Sequence, residues 1–510
     1  MKNKYLIILI VISLLFSVSL QSIAFTSRYI VNDDVRAALF IIPQFNDSDL
    51  FKNDILADHA LAGIGSTKAI QLLYSTLDKF IDFILITKIL PIILFLISLI
   101  FFYLTSKHLF NEKTAFISSI LFTLFSWSLQ LFSGGLSRSF FLPLLIIFLY
   151  FFLKDKDISA LITILISSFL YPPSTLIMLS TYSLTFINKN IIKNLKSKKF
   201  IYLLITALLS VLIISNLSIP KNKEIGSFYN FKEVIKMEEF KIGGKIPVID
   251  GLSSIIKPYN TGIKFSLTKN PIAILIILSI LSMFIRTNNN LDKKIKIFAL
   301  SGLILYFLSF AVLFKIYIPI RYSLPVYLFL IFFISNRINK FDFNLKKLIL
   351  ISFLLFLIFI PHLRRDLTIC HDQEIYNFIS TLPKDALIAG YPKDLDCIPL
   401  FSKRSVLIND ELNIPFAKNY YEKIKIRLTD LFTAYYSDEE THIKDLCEKY
   451  NITHILVNKE RFSNDSLNKE MIYYNPFDKI IKENKNNKFI LPELESKSIF
   501  TSKSQFIISC

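Results

Sequence analysis

Long runs of apolar residues alternate with short polar segments through the first 361 residues of the chain. About 20 mostly apolar residues in a helix cross the ~30 Å hydrocarbon core of a bilayer. Tyr171-Pro172-Pro173 interrupts one long apolar stretch, because consecutive prolines remove backbone donors and clash with the preceding turn. We predict membrane spans at residues 5–25, 81–104, 115–132, 139–153, 158–170, 174–187, 200–219, 271–285, 297–314, 322–336 and 347–361. The pattern therefore predicts a mainly α fold, a polytopic transmembrane helix bundle of about 11 spans.

The basic residues between the spans predict an orientation. Lysines and arginines gather in every second loop, in phase with Lys2 and Lys4, whereas the other short loops hold only Arg138, Lys315 and Arg321. Short loops rich in lysine and arginine stay in the cytoplasm. We therefore predict a cytoplasmic N-terminus and an extracytoplasmic C-terminus, in a bacterial inner or plasma membrane. The same loops account for much of the net charge of +18, so we expect no nucleic-acid partner.

Three segments are then predicted to lie outside the cytoplasm. They are two loops within the transmembrane domain 1–361, at residues 26–80 and 220–270, and a C-terminal domain at residues 362–510. The first span could instead be a cleaved signal peptide, since Lys2 and Lys4 precede it and Ser22-Ile23-Ala24, near its end, is a possible cleavage site. Either reading leaves the first loop outside.

The C-terminal region has the pattern of a small α/β domain. Short apolar runs predict buried strands at 386–390, 405–408 and 452–457. Longer segments at 417–436 and 438–450 predict helices. Residues 462–510 are rich in asparagine and lysine and predict little.

Two adjacent carboxylates, Asp33 and Asp34, lie just outside the first span. A carboxylate held beside an acceptor hydroxyl can act as a general base, and a lipid-linked substrate presents its phosphate at this interfacial depth. Two carboxylates could also coordinate a divalent cation. The alternative is that the pair caps the N-terminus of the segment that follows.

Arginines at the outer ends of two spans are candidates for binding a lipid phosphate. Arg138 and Arg321 carry guanidinium groups that can grip a phosphate through two parallel hydrogen bonds. Lys315 is a third candidate. The alternative for all three is that the side chain extends to the lipid headgroups without a catalytic role.

The cysteines and histidines give weaker signals. All four cysteines lie in the predicted external domain, where disulfides can form, but four cysteines allow three full pairings or free thiols. Asp58-His59 could bind a metal, although one such pair is more often structural. No metal site is predicted.

The layout resembles the GT-C superfamily of polytopic membrane glycosyltransferases, in an uncharacterised bacterial branch. The resemblance rests on four short segments and on stretches of the external domain between residues 382 and 436. The four segments are Asp33 to Asp58, Ser137-Arg138, Tyr171-Pro172-Pro173 and Ile320-Arg321-Tyr322. In that superfamily an acidic motif stands in the first external loop. The resemblance implies a polyprenyl-phosphate sugar donor and an acceptor on the outer face. The chain lacks the W-W-D-Y-G-type signature of oligosaccharyltransferases, which argues against transfer of whole oligosaccharides to protein.

Residues and resemblance together favour a membrane glycosyltransferase. In this hypothesis Asp34 or Asp33 is the base, and Arg321, Arg138 and Lys315 bind the lipid phosphate. One alternative is a transporter or lipid flippase, although the spans carry few of the buried ionisable residues that transporters use. Another is a non-catalytic membrane protein with an external binding domain.

Overall fold

The computed structural model describes residues 4–63, 66–128, 130–187, 196–217, 225–246, 290–311, 319–338, 344–359, 367–484 and 488–510. The chain is mostly helical and forms two compact units. The first unit consists of residues 1–32, 84–219 and 255–367. The second consists of residues 33–83, 220–254 and 368–510.

The first unit is built from apolar helices. Their bounds are Lys4–Thr26, Phe83–Leu109, Glu112–Ser128, Phe141–Leu153, Asp157–Leu170, Pro172–Leu184, Lys198–Leu217, Asn290–Ala311, Leu324–Ile338 and Leu345–Phe359. These helices coincide with ten of the eleven predicted spans, and the span at 271–285 lies outside the described residues. Three of the described helices are long and apolar enough to cross a membrane by length and composition, at Lys4–Thr26, Phe83–Leu109 and Lys198–Asn216.

Hydroxyl and aromatic side chains join these helices to one another. The hydroxyls of Thr181 and Ser301 lie 2.6 Å apart, and the ring of Phe102 stacks on that of Phe332 with 5.0 Å between centroids. The indole Nε1 of Trp127 donates to Oγ of Ser17 at 3.1 Å. Interhelical hydrogen bonds of this kind stabilise helix bundles in a lipid environment.

Large apolar side chains also cover the outside of this bundle. Leu15, Leu208 and Val211 are 64%, 62% and 60% exposed. An apolar surface of this extent is costly in water but matches the interior of a bilayer. The first unit therefore has the surface of a membrane protein.

The second unit contains a mixed five-stranded sheet. The strands within the described residues are β1 (Ile30–Asn32), β2 (Leu367–Ile369), β3 (Leu387–Gly390), β4 (Ser405–Val406), β5 (His454–Asn458), β6 (Phe500–Thr501) and β7 (Gln505–Ser509). The order in the sheet is β4-β3-β5-β7-β6, with β4, β3 and β5 parallel and β7 antiparallel to both β5 and β6. Strands β3, β4 and β5 match the predicted strands, whereas β6 and β7 lie in the segment for which the sequence predicted little.

The second unit also contains α-helices. Their bounds are Val35–Ala38, Ile55–Leu61, Lys68–Leu77, Phe231–Val234, Gln373–Thr381, Ile398–Ser402, Lys418–Tyr435, Glu440–Tyr450, Asn464–Leu467, Phe477–Glu483 and Ile490–Glu493. The helices at Lys418–Tyr435 and Glu440–Tyr450 confirm the two predicted there. The predicted small α/β region is therefore present.

The first and middle loops pack on the C-terminal region within this second unit. Nζ of Lys384 lies 2.6 Å from a carboxylate oxygen of Asp47 in the first loop. Nζ of Lys245 in the middle loop lies 2.8 Å from a carboxylate oxygen of Asp410. The second unit is therefore assembled from three segments that are distant in the sequence, which places first-loop residues among C-terminal ones.

Candidate functional site

The acidic pair stands at a change of backbone direction. Strand β1 is buried along its length and ends at Asn32, and a short helix follows at Val35–Ala38. Asp34 occupies the N-cap position of that helix, but its side chain makes no capping hydrogen bond. The capping role that the sequence allowed is therefore not one that Asp34 performs.

Asp33 is held by two donors on a single oxygen. Oδ1 of Asp33 accepts a hydrogen bond from Nη2 of Arg36, one helical turn later, and another of 2.7 Å from Oγ1 of Thr368. Within the part of the chain that the structure describes, the second oxygen, Oδ2, accepts no hydrogen bond. The side chain is 42% exposed. Asp33 is thus a carboxylate that is fixed through Oδ1, and its side chain is partly exposed to solvent.

Arg36 lies at the centre of a cluster of carboxylates, which we call the Arg36 cluster: Asp33, Arg36, Asp396 and Glu411. The guanidinium is 8% exposed, and its Nη2 lies 2.9 Å from Oε1 of Glu411. Its Nη1 lies 3.6 Å from Oδ2 of Asp396. Three carboxylates therefore surround one permanent cation.

Asp396 and Glu411 are held together by the backbone. Oδ1 of Asp396 accepts hydrogen bonds from the amide nitrogens of Asp410, at 2.8 Å, and Glu411, at 3.0 Å. These bonds fix the turn that carries Glu411 and aim its side chain at Arg36. The position of Glu411 therefore depends on the position of Asp396.

The excess of negative charge changes the protonation of the cluster. Burial raises the pKa of Asp396 to about 7, against the opposing attraction of Arg36. Burial and the charges of Asp33 and Asp396 raise the pKa of Glu411 to about 8. Burial lowers the pKa of Arg36, but the three carboxylates outweigh it and the net change is upward. These shifts favour a retained proton on Glu411 at neutral pH, while Arg36 stays charged.

The cluster does not have the arrangement of a metal site. Among the described residues no group of three or more histidine, cysteine, aspartate or glutamate side chains could hold a metal ion. The carboxylates of Asp33, Asp396 and Glu411 converge on a guanidinium instead. His59, which the sequence raised as a ligand, is buried against the ring of Tyr420 with 3.8 Å between centroids. Burial lowers its pKa to about 3, so it is neutral.

In the first unit, Arg138 contacts the residue that precedes the acidic pair. Nη2 of Arg138 donates to Oδ1 of Asn32 at 3.2 Å, and Nδ2 of Asn32 donates to Oγ of Ser133 at 2.7 Å. Asn32 is 3% exposed. Gly134 lies against it with φ +79°, and a Cβ added there would stand 2.9 Å from Oδ1 of Asn32. Glycine is therefore required at that position by both conformation and space.

Arg321, also in the first unit, is fixed by a tyrosine. It lies in a short 3₁₀ helix at Pro319–Ser323, and its Nη1 donates to the hydroxyl of Tyr171. The guanidinium carbon lies 5.4 Å from the centre of the Tyr171 ring. Tyr171 begins the Tyr-Pro-Pro segment, so that segment has a contact beyond its role as a break between helices. Lys315 lies outside the described residues.

The sequence alone did not indicate most of the Arg36 cluster or the contact of Asp33 with Thr368. Arg36 was visible three residues after Asp33, a spacing at which side chains on a helix meet. Thr368, Asp396 and Glu411 carried no signal, because only folding brings them to the first loop. The cysteines, whose pairing the sequence left open, form two disulfides, Cys370–Cys397 and Cys447–Cys510.

Comparisons with known proteins yield similarity of structure alone. No family model and no curated protein sequence matches the chain. Solved structures do match, among them the oligosaccharyltransferase of Archaeoglobus fulgidus in the apo form, with a TM-score of 0.53 and 12% identity over 94% of this chain and 72% of that one. The same archaeal enzyme, AglB, in complex with an inhibitory peptide and a dolichol-phosphate, matches with a TM-score of 0.55 and 12% identity over 98% of this chain and 72% of that one. The chain therefore shares the overall fold of these archaeal oligosaccharyltransferases.

Proposed function

We propose that the chain is a membrane glycosyltransferase that moves a sugar from a polyprenyl-phosphate donor to an acceptor hydroxyl on the extracytoplasmic face. The observation that carries the proposal is the held carboxylate of Asp33, with Oδ1 fixed by Arg36 and Thr368 in a side chain that is partly exposed. The fold supports the reaction class, because its structural relatives are oligosaccharyltransferases.

Asp33 has the arrangement that a general base needs. Two donors on one oxygen fix the side chain, and the other oxygen can meet an acceptor hydroxyl. Asp34, the adjacent carboxylate, is the alternative base, and both remain candidates for the reaction. A positioned base typically contributes a factor of ~10²–10⁴ to the rate.

The bond changes balance without any further reactant. The base takes the proton of the acceptor hydroxyl, and the acceptor oxygen forms a bond to the anomeric carbon of the sugar. The bond between that carbon and the phosphate oxygen breaks, and its electron pair leaves with the polyprenyl phosphate. The proton on the carboxylate then returns to solvent.

Cationic groups would stabilise the leaving phosphate. We assign this role to Arg321, assisted by Arg138, with Lys315 as a further candidate. The contacts of Arg321 with Tyr171 and of Arg138 with Asn32 support it, because a preorganised donor stabilises developing charge better than a mobile one. A divalent cation is not required by this scheme, and no step depends on one.

Membrane topology completes the proposal. We propose about 11 spans with the N-terminus in the cytoplasm and the domain 362–510 outside, in a bacterial inner or plasma membrane. The donor would enter from the lipid phase. A lipid phosphate as ligand is consistent with the dolichol-phosphate in complex with the archaeal relative.

The test is sugar transfer in membranes that contain lipid-linked sugar. We expect Asp33→Asn or Asp34→Asn to lower the rate ~10²-fold or more, and Arg321→Ala to lower it ~10²–10³-fold. Asp47→Asn is the control for the aspartates, because Asp47 lies in the same loop as Asp33 and pairs with Lys384 of the C-terminal region. Arg337→Ala is the control for Arg321→Ala, because Arg337 lies in the last turn of the helix that follows Arg321. Full activity in Asp33→Asn, Asp34→Asn and Arg321→Ala would reject the site. Transbilayer movement of the lipid without transfer would favour the flippase.

A further inference from the structure

One of the two disulfides touches the Arg36 cluster. Cys370 and Cys397 are 27 residues apart in the sequence, and their Cα atoms lie 6.2 Å apart. Both are buried, at 2% and 6% exposure. Sγ of Cys397 lies 3.8 Å from Nη1 of Arg36. The bond therefore lies beside the guanidinium that holds Asp33.

Each half of this disulfide adjoins a residue that fixes the cluster. Thr368, whose hydroxyl donates to Asp33, lies two residues before Cys370. Asp396, which faces Arg36, lies immediately before Cys397. The disulfide thus connects the segment that holds Asp33 to the segment that holds Arg36.

The connection continues to Glu411. Asp396 accepts the amide hydrogens of Asp410 and Glu411, and Glu411 in turn pairs with Arg36. A displacement of Cys397 would carry Asp396 with it and break this set of bonds. Thr368, Asp396 and Glu411, which contact Asp33 or Arg36, are therefore all connected to the Cys370–Cys397 disulfide.

We propose that the Cys370–Cys397 disulfide is a positioning element for Asp33, which keeps the carboxylate in the geometry required for glycosyl transfer. This inference rests on the proposed function. Because both cysteines are buried, their sulfurs are inaccessible to attacking thiolates, and the disulfide is permanent.

The second disulfide provides a matched control. Cys447–Cys510 joins the helix Glu440–Tyr450 to the residue after strand β7, and its sequence separation is 63. Its cysteines make no contact with the Arg36 cluster among the described residues. A longer closed loop restricts the unfolded chain more, so its loss should lower thermal stability at least as much as loss of the first. A general effect on stability and a specific effect on Asp33 are therefore separable.

The experiment compares two double variants of the full chain in proteoliposomes, Cys370→Ser with Cys397→Ser, and Cys447→Ser with Cys510→Ser. We expect the first to lower kcat at least tenfold, with KM for the lipid-linked sugar within threefold, and to shift the pH profile of kcat. We expect the second to keep kcat within twofold at a temperature where both are folded. Equal losses of kcat in the two variants, or no loss in the first, would overturn the inference.

Hydrogen exchange of backbone amides tests whether the disulfide holds the cluster in place, and it needs no activity assay. Peptides that contain the amides of Asp410 and Glu411 should exchange faster in the first double variant and as in the wild type in the second. If the wild type transfers no sugar, the proposed function fails, and this exchange result still shows whether the disulfide holds the cluster. Unchanged exchange in the first variant would contradict this positioning role.

Discussion

Nη2 of Arg36 lies 2.9 Å from Oε1 of Glu411, although 375 residues separate them in the sequence. The same nitrogen donates to Asp33, so a single guanidinium joins the first loop to the C-terminal region. Arg36 is 8% exposed, whereas Glu411 is 24% exposed. The environment of Asp33 is therefore set by residues from both ends of the second unit.

Replacing Arg36 by alanine should damage both stability and transfer. Removal of one partner of a buried ion pair leaves uncompensated charge and typically costs ~3–5 kcal/mol. We expect a lower Tm and a transfer rate reduced at least as much as in Asp33→Asn. Lys52→Ala is the control, since Lys52 pairs with Asp49 on the surface, where ion pairs contribute little to stability. Equal Tm values for the two variants would show that the cluster does not stabilise the fold.

The pKa of Glu411 predicts a pH dependence of stability. Its value rises from 4.5 to about 8 on folding, so between these pH values the folded chain binds more protons than the unfolded one. Stability should therefore fall as pH rises through this window, by up to about 1.4 kcal/mol per pH unit for one proton. Glu411→Gln should flatten the plot of Tm against pH and raise Tm at pH 8. Asp396, with a pKa of about 7, should preserve part of the slope. A slope identical to that of the wild type would contradict the raised pKa.

Asn32→Ala should lower stability more than the loss of an exposed asparagine. The substitution removes the hydrogen bonds that the side chain of Asn32 makes with Ser133 and Arg138. An intramolecular hydrogen bond typically contributes about 0.5–1.5 kcal/mol, and more when one partner is charged. Thermal unfolding is the measurement, and Asn46→Ala is the control, because the side chain of Asn46 bonds Asp78 at the surface. Equal effects would mean that the contact with Arg138 contributes nothing measurable.

Tyr171→Phe should weaken the binding of the lipid phosphate. Loss of the hydroxyl removes the acceptor that fixes Arg321 but keeps the ring beneath its guanidinium. We expect KM for the lipid-linked sugar to rise about tenfold or more, since a hydrogen bond to a charged group contributes about 1.5–3 kcal/mol. Tyr182→Phe is the control, because the hydroxyl of Tyr182 donates to Asp157. A KM that rises equally in both variants would remove the specific role of Tyr171.

The helices of the first unit were predictable because each corresponds to a continuous run of apolar residues in the sequence. Ten predicted spans coincide with helices, down to the break at Tyr171, and strands β3 to β5 stand where short apolar runs placed them. Strand β7 was missed although it pairs with β5 along five residues, because its flanking segment is polar and irregular. Local patterns thus carried most of the secondary structure.

The candidate site was predictable only in part. Asp33 and Asp34 were visible because two carboxylates after a membrane span are unusual. Asp396 and Glu411 were not, because their significance depends on the packing of the first loop against the C-terminal region. Because 335 residues separate Asp33 from Thr368, no local sequence pattern indicates their hydrogen bond. The role of Cys370–Cys397 was hidden for the same reason.

If Asp33 is the general base that deprotonates the acceptor in transfer from a lipid-linked sugar, its loss should slow the release of polyprenyl phosphate by the purified, reconstituted chain. Labelled polyprenyl-phosphate sugar and an envelope acceptor would be supplied to the wild type, Asp33→Asn and Asp47→Asn. The account predicts turnover in the wild type and in Asp47→Asn, with a loss of ~10²-fold or more in Asp33→Asn. Turnover in Asp33→Asn that equals that of Asp47→Asn, or no release of polyprenyl phosphate by the wild type, would contradict it.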